Sequence, residues 1–383
     1  MPATCDVVVV GGGIAGVSVG YELAATHRVV LVEAERMLAT HATGRSAAVY
    51  LPSYGTPTVR ALTGASGPRF AELGRRFEVS PLLTRRPVLW VGFDEPGAAE
   101  VVAMVAERAG GPGALRALTQ AEAVDVCPAL RVGALTAAAL DPASRDVDAM
   151  SLHHGYVRGL RARGGIVLAG TPAIALARCG DGWRVNAGDL VLDCGLVVDA
   201  AGAWADAVAG LAGVPPLGLQ PRRRTLFVSP VPAELPWDPR GALVAETTER
   251  FYFKPEGRTV LASPADAEPC GPGDARPHEP EIARAIESIN AVTRLDLRTV
   301  RRSWAGLRTF SPTGDPVVGV HSDHPGFAFL AGQGGYGIQM APALAAFAAA
   351  VLTGAAVPED IPLAPDALVP GGAGPKFRTP PLR

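Results

Sequence analysis

Cysteine is scarce in this 383-residue chain, and the five present (Cys5, Cys127, Cys179, Cys194 and Cys270) are odd in number and widely scattered. They form no CxxC pair and no Cys/His cluster of zinc spacing. A disulfide scaffold and a metal centre are thereby excluded, and reduced thiols in a cytoplasmic protein are expected. Long runs of one charge sign are also missing. With a formal net charge of -2 and a pI near 6.4, the composition offers no footprint for nucleic acid or an anionic membrane. No apolar stretch reaches the roughly 20 residues that a bilayer-crossing helix needs. The longest, from about residue 340 to 352, reads as a buried core helix. The chain enters a strand-like run at Asp6 without a basic segment followed by an apolar one, so no secretory signal is expected.

What the sequence does have is glycine (45) and proline (35) placed between ordered-looking segments. Only residues 358–383, Pro-rich and without periodicity, read as a surface loop or a partly disordered tail. A chain of this length exceeds what one hydrophobic core usually supports, so two domains are expected. Residues 5–10 and 28–32 are continuous apolar runs, which suit parallel strands covered on both faces. Between them lie a glycine turn and a helical pattern over residues 14–25. Two further junctions follow far downstream: a strand pair over 191–201 running into Gly202 and a helix over 204–212, and a strand over 326–332 running into a second glycine cluster. Residues 225–228, 250–254 and 259–262, separated by proline-rich turns, read as antiparallel strands. The fold class expected is therefore α/β: a discontinuous Rossmann-type domain (residues 1–80, 146–215 and 311–383) carrying an inserted α+β substrate domain on an antiparallel sheet (residues 81–145 and 216–310).

The first junction, Val7-Val-Val-Val-Gly11-Gly-Gly13-Ile-Ala-Gly16, is a GxGxxG fingerprint in its required context, after a strand and at the start of a helix. Gly11 permits the tight turn, Gly13 admits a pyrophosphate to the backbone, and Gly16 lets the helix pack on the strand. Ile14 and Ala15 lie at the helix N-terminus, whose unpaired N–H groups favour phosphate. Glu33 ends the next strand about 20 residues on, where a carboxylate can accept hydrogen bonds from an adenosine ribose; an acid there argues against NADP. An NAD site is completed within one contiguous run, whereas three glycine junctions spread along the whole chain suit the longer FAD. In the third, Gly332-Gln-Gly334-Gly335-Tyr336-Gly337-Ile338-Gln339 could bring N–H groups at a helix start to the flavin pyrimidine edge.

Several longer motifs extend this reading: Thr43-Gly-Arg-Ser-Ala-Ala48, Tyr54-Gly-Thr-Pro57, Ala200-Ala-Gly-Ala-Trp204, Gly210-Leu-Ala-Gly-Val-Pro-Pro-Leu-Gly-Leu-Gln220, Phe251-Tyr252 and Trp304-Ala-Gly-Leu-Arg308. Through these the chain resembles, nearly end to end, the D-amino-acid oxidase superfamily, and most closely its D-arginine dehydrogenase branch. The resemblance implies non-covalent FAD lying against Arg45, Ser46 and Ala47 as well as the fingerprint, with Ala201, Gly202 and Trp204 at the second junction. Related sarcosine oxidases attach flavin through a late cysteine, and no cysteine follows Cys270 here. The resemblance also implies that Arg308 and Tyr252 hold a substrate carboxylate, that Arg224 lies at the pocket wall, and that Tyr54 acts as a lid. A guanidinium fork suits a planar carboxylate better than an ammonium does. The reaction implied is hydride transfer from Cα to flavin N5, giving an imine that hydrolyses to a 2-oxo acid and ammonia. No side-chain base is required, and His41, His153 and His154 are candidates by residue type alone.

The pattern departs from the branch where an acid that grips a basic substrate side chain is replaced by Val88. A second departure is at Val49 and Leu51. Losing a desolvated charge partner costs about 2–5 kcal/mol, so a neutral or apolar D-amino acid is the expected substrate, held in a pocket lined by Val49, Leu51 and Val88. Alternatives are a sarcosine- or glycine-type amine oxidase, a biosynthetic amine-oxidising flavoenzyme, a flavin monooxygenase and a catalytically silent FAD-binding protein. The electron acceptor, whether oxygen, a quinone or another, has no motif of its own.

Overall fold

The computed structural model describes residues 3–79, 81–110, 113–369 and 377–378. The four consecutive valines Val7–Val10 form a strand buried on both faces, and the alternation of side chains along it sorts them into separate cores. Val7 and Val9 pack with Val17, Tyr21, Leu344 and Phe347 of the helices Ile14–Leu23 and Gly337–Thr353. Val8 and Val10 meet Trp183, Val185, Leu192 and Val208, contributed by a smaller sheet over residues 173–194 and by the helix Ala205–Leu211.

Val29–Val32 and Leu196–Asp199 flank this strand in parallel, and Phe327–Ala331 continues the parallel set beyond Leu196–Asp199. Ile166–Leu168 adds a parallel strand on one side, and Val317–His321 an antiparallel one on the other. One sheet thus gathers strands from the beginning, middle and end of the chain, and the carboxyl ends of its parallel strands open on a common side. The helix Ile14–Leu23 can start directly behind the first strand because Gly16 has no side chain. A Cβ there would sit 1.8 Å from the carbonyl oxygen of Gly11, so any larger residue would push the helix away.

A second, nine-stranded sheet contains Gln220–Pro230, Tyr252–Glu256, Thr259–Ser263, Arg302–Phe310, Val88–Gly92 and Leu243–Glu246 among its members. On one face Leu89, Val91, Phe227 and Phe253 pack against Ile282, Ala285 and Ile289 of the helix Glu279–Val292. The other face carries Val88, Trp90, Leu243 and Ala245. This sheet is antiparallel except at one ladder, where Leu243–Glu246 runs parallel to Val88–Gly92. The chain between those two strands is long enough for the crossover that a parallel pair requires.

Three sequence expectations are revised. The segment 191–201 is divided between Leu190–Cys194, in the smaller sheet, and Leu196–Asp199, in the parallel one. The late helix starts at Gly337, within the glycine cluster. In the proline-rich tail, Ile361 and Leu368 are buried in the first core, and the Val318 N–H donates to the Leu368 carbonyl at 3.2 Å. Apolar side chains between the prolines therefore anchor residues 358–369, while most of the remaining tail lies outside the described residues. Among the described residues no helix is long and apolar enough to cross a membrane.

Asp199 ends the central strand with no exposure to solvent. Its Oδ1 accepts from Ala201 N–H at 3.1 Å, and its Oδ2 has no partner. Burial holds its pKa well above the usual carboxylate range. The folded protein therefore keeps a proton that the unfolded chain releases above about pH 4, so this group's contribution to stability falls as pH rises. Asp199→Asn should remove that contribution. The variant's gain in urea midpoint over wild type is expected to grow from pH 5 to pH 7.5, and a gain independent of pH would contradict the assignment.

Candidate active site

Between the two sheets lies a cavity of about 1080 Å³. It is lined by Gly11, Gly13, Ile14, Ala15 and Glu33, by Ala201, Gly202 and Trp204, by Arg45, Ser46 and Ala47, and by Gly332, Gly334, Gly335, Tyr336, Gly337, Ile338 and Gln339. Tyr54, Tyr252, Arg224, Arg308, Val49 and Leu51 line it too. Of the residues singled out in the sequence, Gly16, Val88, His153 and His154 do not. Gly16 serves the close approach of helix to strand described above.

At the fingerprint the Glu33 carboxylate accepts from the N–H groups of Gly12 at 2.6 Å and Glu35 at 2.8 Å. Thr43 Oγ1 accepts from the Ile14 N–H at 3.0 Å, tying residues 39–48 to the helix start. A Cβ on Gly13 would meet only that hydroxyl, at 3.3 Å, so the backbone there is open to a group entering from the cavity. His153 is buried, with Nε2 2.9 Å from the Gly12 carbonyl oxygen; burial lowers its pKa. His41 pairs with Glu35 at 2.9 Å and lies against the Trp204 ring. Neither is hydrogen-bonded to Arg224, Tyr252 or Arg308. Arg45 is also committed, donating to the carbonyls of Thr40 and Ala305 and pairing with Asp274, so what its segment offers the cavity is backbone.

Where the nine-stranded sheet borders the cavity, two guanidiniums line it. Arg224 lies opposite Gly306 in the antiparallel ladder between Gln220–Pro230 and Arg302–Phe310. Arg308, two residues beyond Gly306, is therefore its diagonal neighbour on the same face. Neither forms a hydrogen bond or salt bridge with another described residue, and the buried Arg224 Nε has no partner at all. Burial and the like charge of Arg308 push the Arg224 pKa down. For Arg308 burial works against the charge, but Tyr54, Tyr336, Tyr252 and Glu249 outweigh it and the pKa is raised. The ladder thus presents two cations without an anion, an arrangement that a ligand carboxylate satisfies.

Aromatic rings enclose this region. Tyr54 packs against Tyr336 at 5.4 Å and Trp90 at 5.7 Å between centroids, and the Arg308 guanidinium carbon is 5.8 Å from the Tyr336 ring centre. The Tyr54 hydroxyl donates to Glu249 Oε1 at 2.8 Å, and burial raises its pKa far above that of free tyrosine. Its loop is tied down by Arg60, donating to the Gly55 carbonyl, by Arg108, donating to that of Ser53, and by Gln339, whose Oε1 accepts from Leu51 N–H. Glu249, Trp90 and Met104 line the cavity without having been foreseen. Glu249 has φ +58, in a turn that the surrounding Thr247-Thr-Glu-Arg250 does not announce.

Val88 requires a correction. It is fully buried, packed among Leu51, Trp90, Leu243 and Ala245. It shares a sheet face with Trp90, which lines the cavity, whereas Val88 does not. The apolar wall itself is formed by Val49, Leu51, Trp90, Met104, Leu243 and Ala245.

Residues 6–351 match the family described as FAD dependent oxidoreductase, and the chain belongs to that family. A bovine (Bos taurus) protein named FAD-dependent oxidoreductase domain-containing protein 1 is 33% identical over 181 residues, which cover 40% of this chain and 34% of that protein. The chain thus matches about a third of that relative's length. Glycine oxidase of Geobacillus kaustophilus is 25% identical over 367 residues, covering 88% of this chain and 90% of the enzyme. The crystal structure of glycine oxidase from that organism superposes with a TM-score of 0.83 at 21% identity, over 97% of this chain and 100% of the other. An L-amino acid deaminase from Proteus vulgaris shares the fold at 19% identity and TM-score 0.78, over 96% of this chain and 94% of the other. FAD is the cofactor, and the cavity fits it: a backbone open at Gly13, an acid at the strand end, and a continuous volume from Glu33 to Arg308.

Gly335 lies directly against the Arg308 guanidinium. A Cβ there would fall 1.7 Å from Arg308 Nη2, so Gly335→Ala should displace the guanidinium while leaving the two sheets intact. A charge-assisted hydrogen bond contributes about 1.5–3 kcal/mol, so KM for an amino-acid substrate should rise roughly ten- to hundredfold with FAD content preserved. An unchanged KM would show that Arg308 does not bind the carboxylate.

Proposed function

We propose that this enzyme oxidises the Cα–H bond of a D-amino acid with a neutral or apolar side chain, releasing a 2-oxo acid and ammonia. The observation that carries the reading is the pair of unpartnered guanidiniums, Arg224 and Arg308, on one sheet face and lining a dinucleotide-sized cavity. The D configuration draws on the likeness of Thr43-Gly-Arg-Ser-Ala-Ala48, Tyr54-Gly-Thr-Pro57 and Trp304-Ala-Gly-Leu-Arg308 to the D-arginine dehydrogenase branch. The preference for an apolar side chain draws on Val49, Leu51, Trp90, Met104, Leu243 and Ala245. Residues 1–80, 146–215 and 311–383 form the cofactor domain in this reading, and residues 81–145 and 216–310 the substrate domain.

Gly11, Gly13, Ile14 and Ala15 hold the pyrophosphate, Glu33 the adenosine ribose, and Arg45–Ala47 with residues 332–339 the flavin ring. When bound, FAD supplies the two-electron acceptor. Arg308 and Arg224 fix the substrate carboxylate, and the Tyr252 hydroxyl completes the clamp, so that Cα is oriented before it reacts. Tyr54, latched to Glu249, closes the cavity and keeps water from the reacting carbon. Glu249, the acid at the clamp, accepts from the Tyr54 hydroxyl, and no side-chain base is assigned in this reading, which suits an amine that enters neutral. The near full-length likeness to a glycine oxidase supports a second reading, a glycine- or sarcosine-type amine oxidase using the same clamp.

Mixing the flavin-loaded protein anaerobically with D- and L-amino acids, glycine and sarcosine separates these readings. Neutral D-amino acids should bleach the flavin absorbance rapidly, with D-Arg and the L-enantiomers slower by tenfold or more, the discrimination expected from a misplaced or uncompensated charge. Faster bleaching by glycine or sarcosine, with glyoxylate or formaldehyde as product, would favour the second reading.

A further inference from the structure

Lys254 stands apart from the other cations of this arginine-rich chain. It is nearly fully buried and lies two residues beyond Tyr252 on the strand Tyr252–Glu256, hence on the same sheet face. It does not line the cavity. Its Nζ donates to the Ala47 carbonyl at 2.9 Å and to Asp146 Oδ1 at 2.8 Å. Asp146 Oδ2 in turn accepts from Arg86 Nε at 2.7 Å, and Arg86 is buried as well, donating onward to the carbonyls of Pro239 and Gly241. Two cations thus share one carboxylate, leaving this buried triad with one net positive charge.

The segment it grips is unusual. Ala48 has φ +50, a left-handed conformation that an alanine adopts only where its surroundings dictate it. The dictating contacts are present: Ala48 N–H donates to Ser46 Oγ at 3.0 Å, its carbonyl accepts from Val147 N–H at 2.9 Å, and Lys254 holds the preceding carbonyl. Asp146 pairs directly with Val49 in the neighbouring strand. With Ala48 fixed in this way, Ser46 and Ala47 line the cavity and their N–H groups donate to no other described residue. A buried charge bonded to the back of a strained, cavity-lining segment is costly unless the segment needs it.

We propose that Lys254 is a positioning residue for the flavin: it locks the Ala47 carbonyl so that the N–H groups of residues 46 and 47 stay available to the ring, and its uncompensated charge favours the reduced, anionic flavin. This rests on the reading that residues 45–47 face the flavin ring. Sulfite is a suitable probe, since its addition to a protein-bound flavin, like reduction, places negative charge on the ring and is followed by absorbance without any substrate.

The flavin-loaded Lys254→Met protein should bind sulfite on the order of tenfold more weakly than wild type, the size expected for one buried unit charge. For a two-electron couple that corresponds to a midpoint potential lower by about 30 mV. Lys254→Arg should recover most of the affinity. Asp146→Asn, which raises the charge of the triad, should instead bind sulfite more tightly, and this opposite sign keeps the test decisive if Lys254→Met retains FAD poorly. Unchanged sulfite binding in Lys254→Met, or equal weakening in Lys254→Met and Asp146→Asn, would overturn the proposal by leaving Lys254 a structural role only. If flavin-loaded wild type and variants substituted at residues 45–47 bind sulfite equally, the underlying placement of that segment is contradicted instead.

Discussion

Two like charges held side by side without an anion are the constraint around which the site is organised. Arg224 and Arg308 are diagonal neighbours on adjacent strands, and bringing both out of water is unfavourable for each. Glu249 is the nearest acid that both sense, yet its carboxylate accepts from Tyr54. The fold therefore maintains a positive field within a largely apolar cavity. Such a field suits a ligand carboxylate, and in the proposed reading that contact positions the rest of the ligand. Binding energy is used here for orientation, which is the protein's share of the work when a cofactor carries the chemistry.

That geometry depends on how two sheets face each other. The ladder bearing the arginines is rigid because its opposite face is packed against the helix Glu279–Val292. The parallel sheet is rigid because alternate valines enter two separate cores. Segments crossing from one to the other line the cavity: residues 39–48, the Tyr54 loop, and the glycine cluster after Ala331. Gly335 lets Arg308 lie against the backbone of that cluster, where a Cβ would leave the guanidinium no room. Lys254 makes the corresponding link on the other side, joining the Tyr252 strand to residues 46–48.

The sequence was most legible where local chemistry and tertiary role coincide. Val7–Val10 with Gly11, Gly13 and Gly16 announces its strand, turn and helix because each residue type is required by the backbone itself. Tyr54, Tyr252, Arg224 and Arg308, which line the cavity, were singled out through longer motifs rather than through periodicity. Side-chain depth was not legible. Val88 and Trp90 share a face of one strand, but only the structure shows that Trp90 lines the cavity and Val88 does not. Glu249 and Lys254 were missed for a related reason. Each acts through a partner distant in sequence, Tyr54 and Ala47 respectively, and nothing adjacent in the chain marks either. The parallel ladder between Leu243–Glu246 and Val88–Gly92 likewise depends on a long connection whose direction local patterns do not record.

The central claim is that Arg224 and Arg308 form a carboxylate site in contact with the flavin. It is tested most directly by titrating the flavin-loaded protein with benzoate, a carboxylate that cannot be oxidised, while recording the flavin spectrum. A saturable spectral change is expected in wild type. In Arg308→Met it should be weakened about a hundredfold or lost, as removal of one partner of a desolvated charge pair implies, with the flavin still bound. The same spectral change at the same benzoate concentrations in wild type and Arg308→Met would contradict the account.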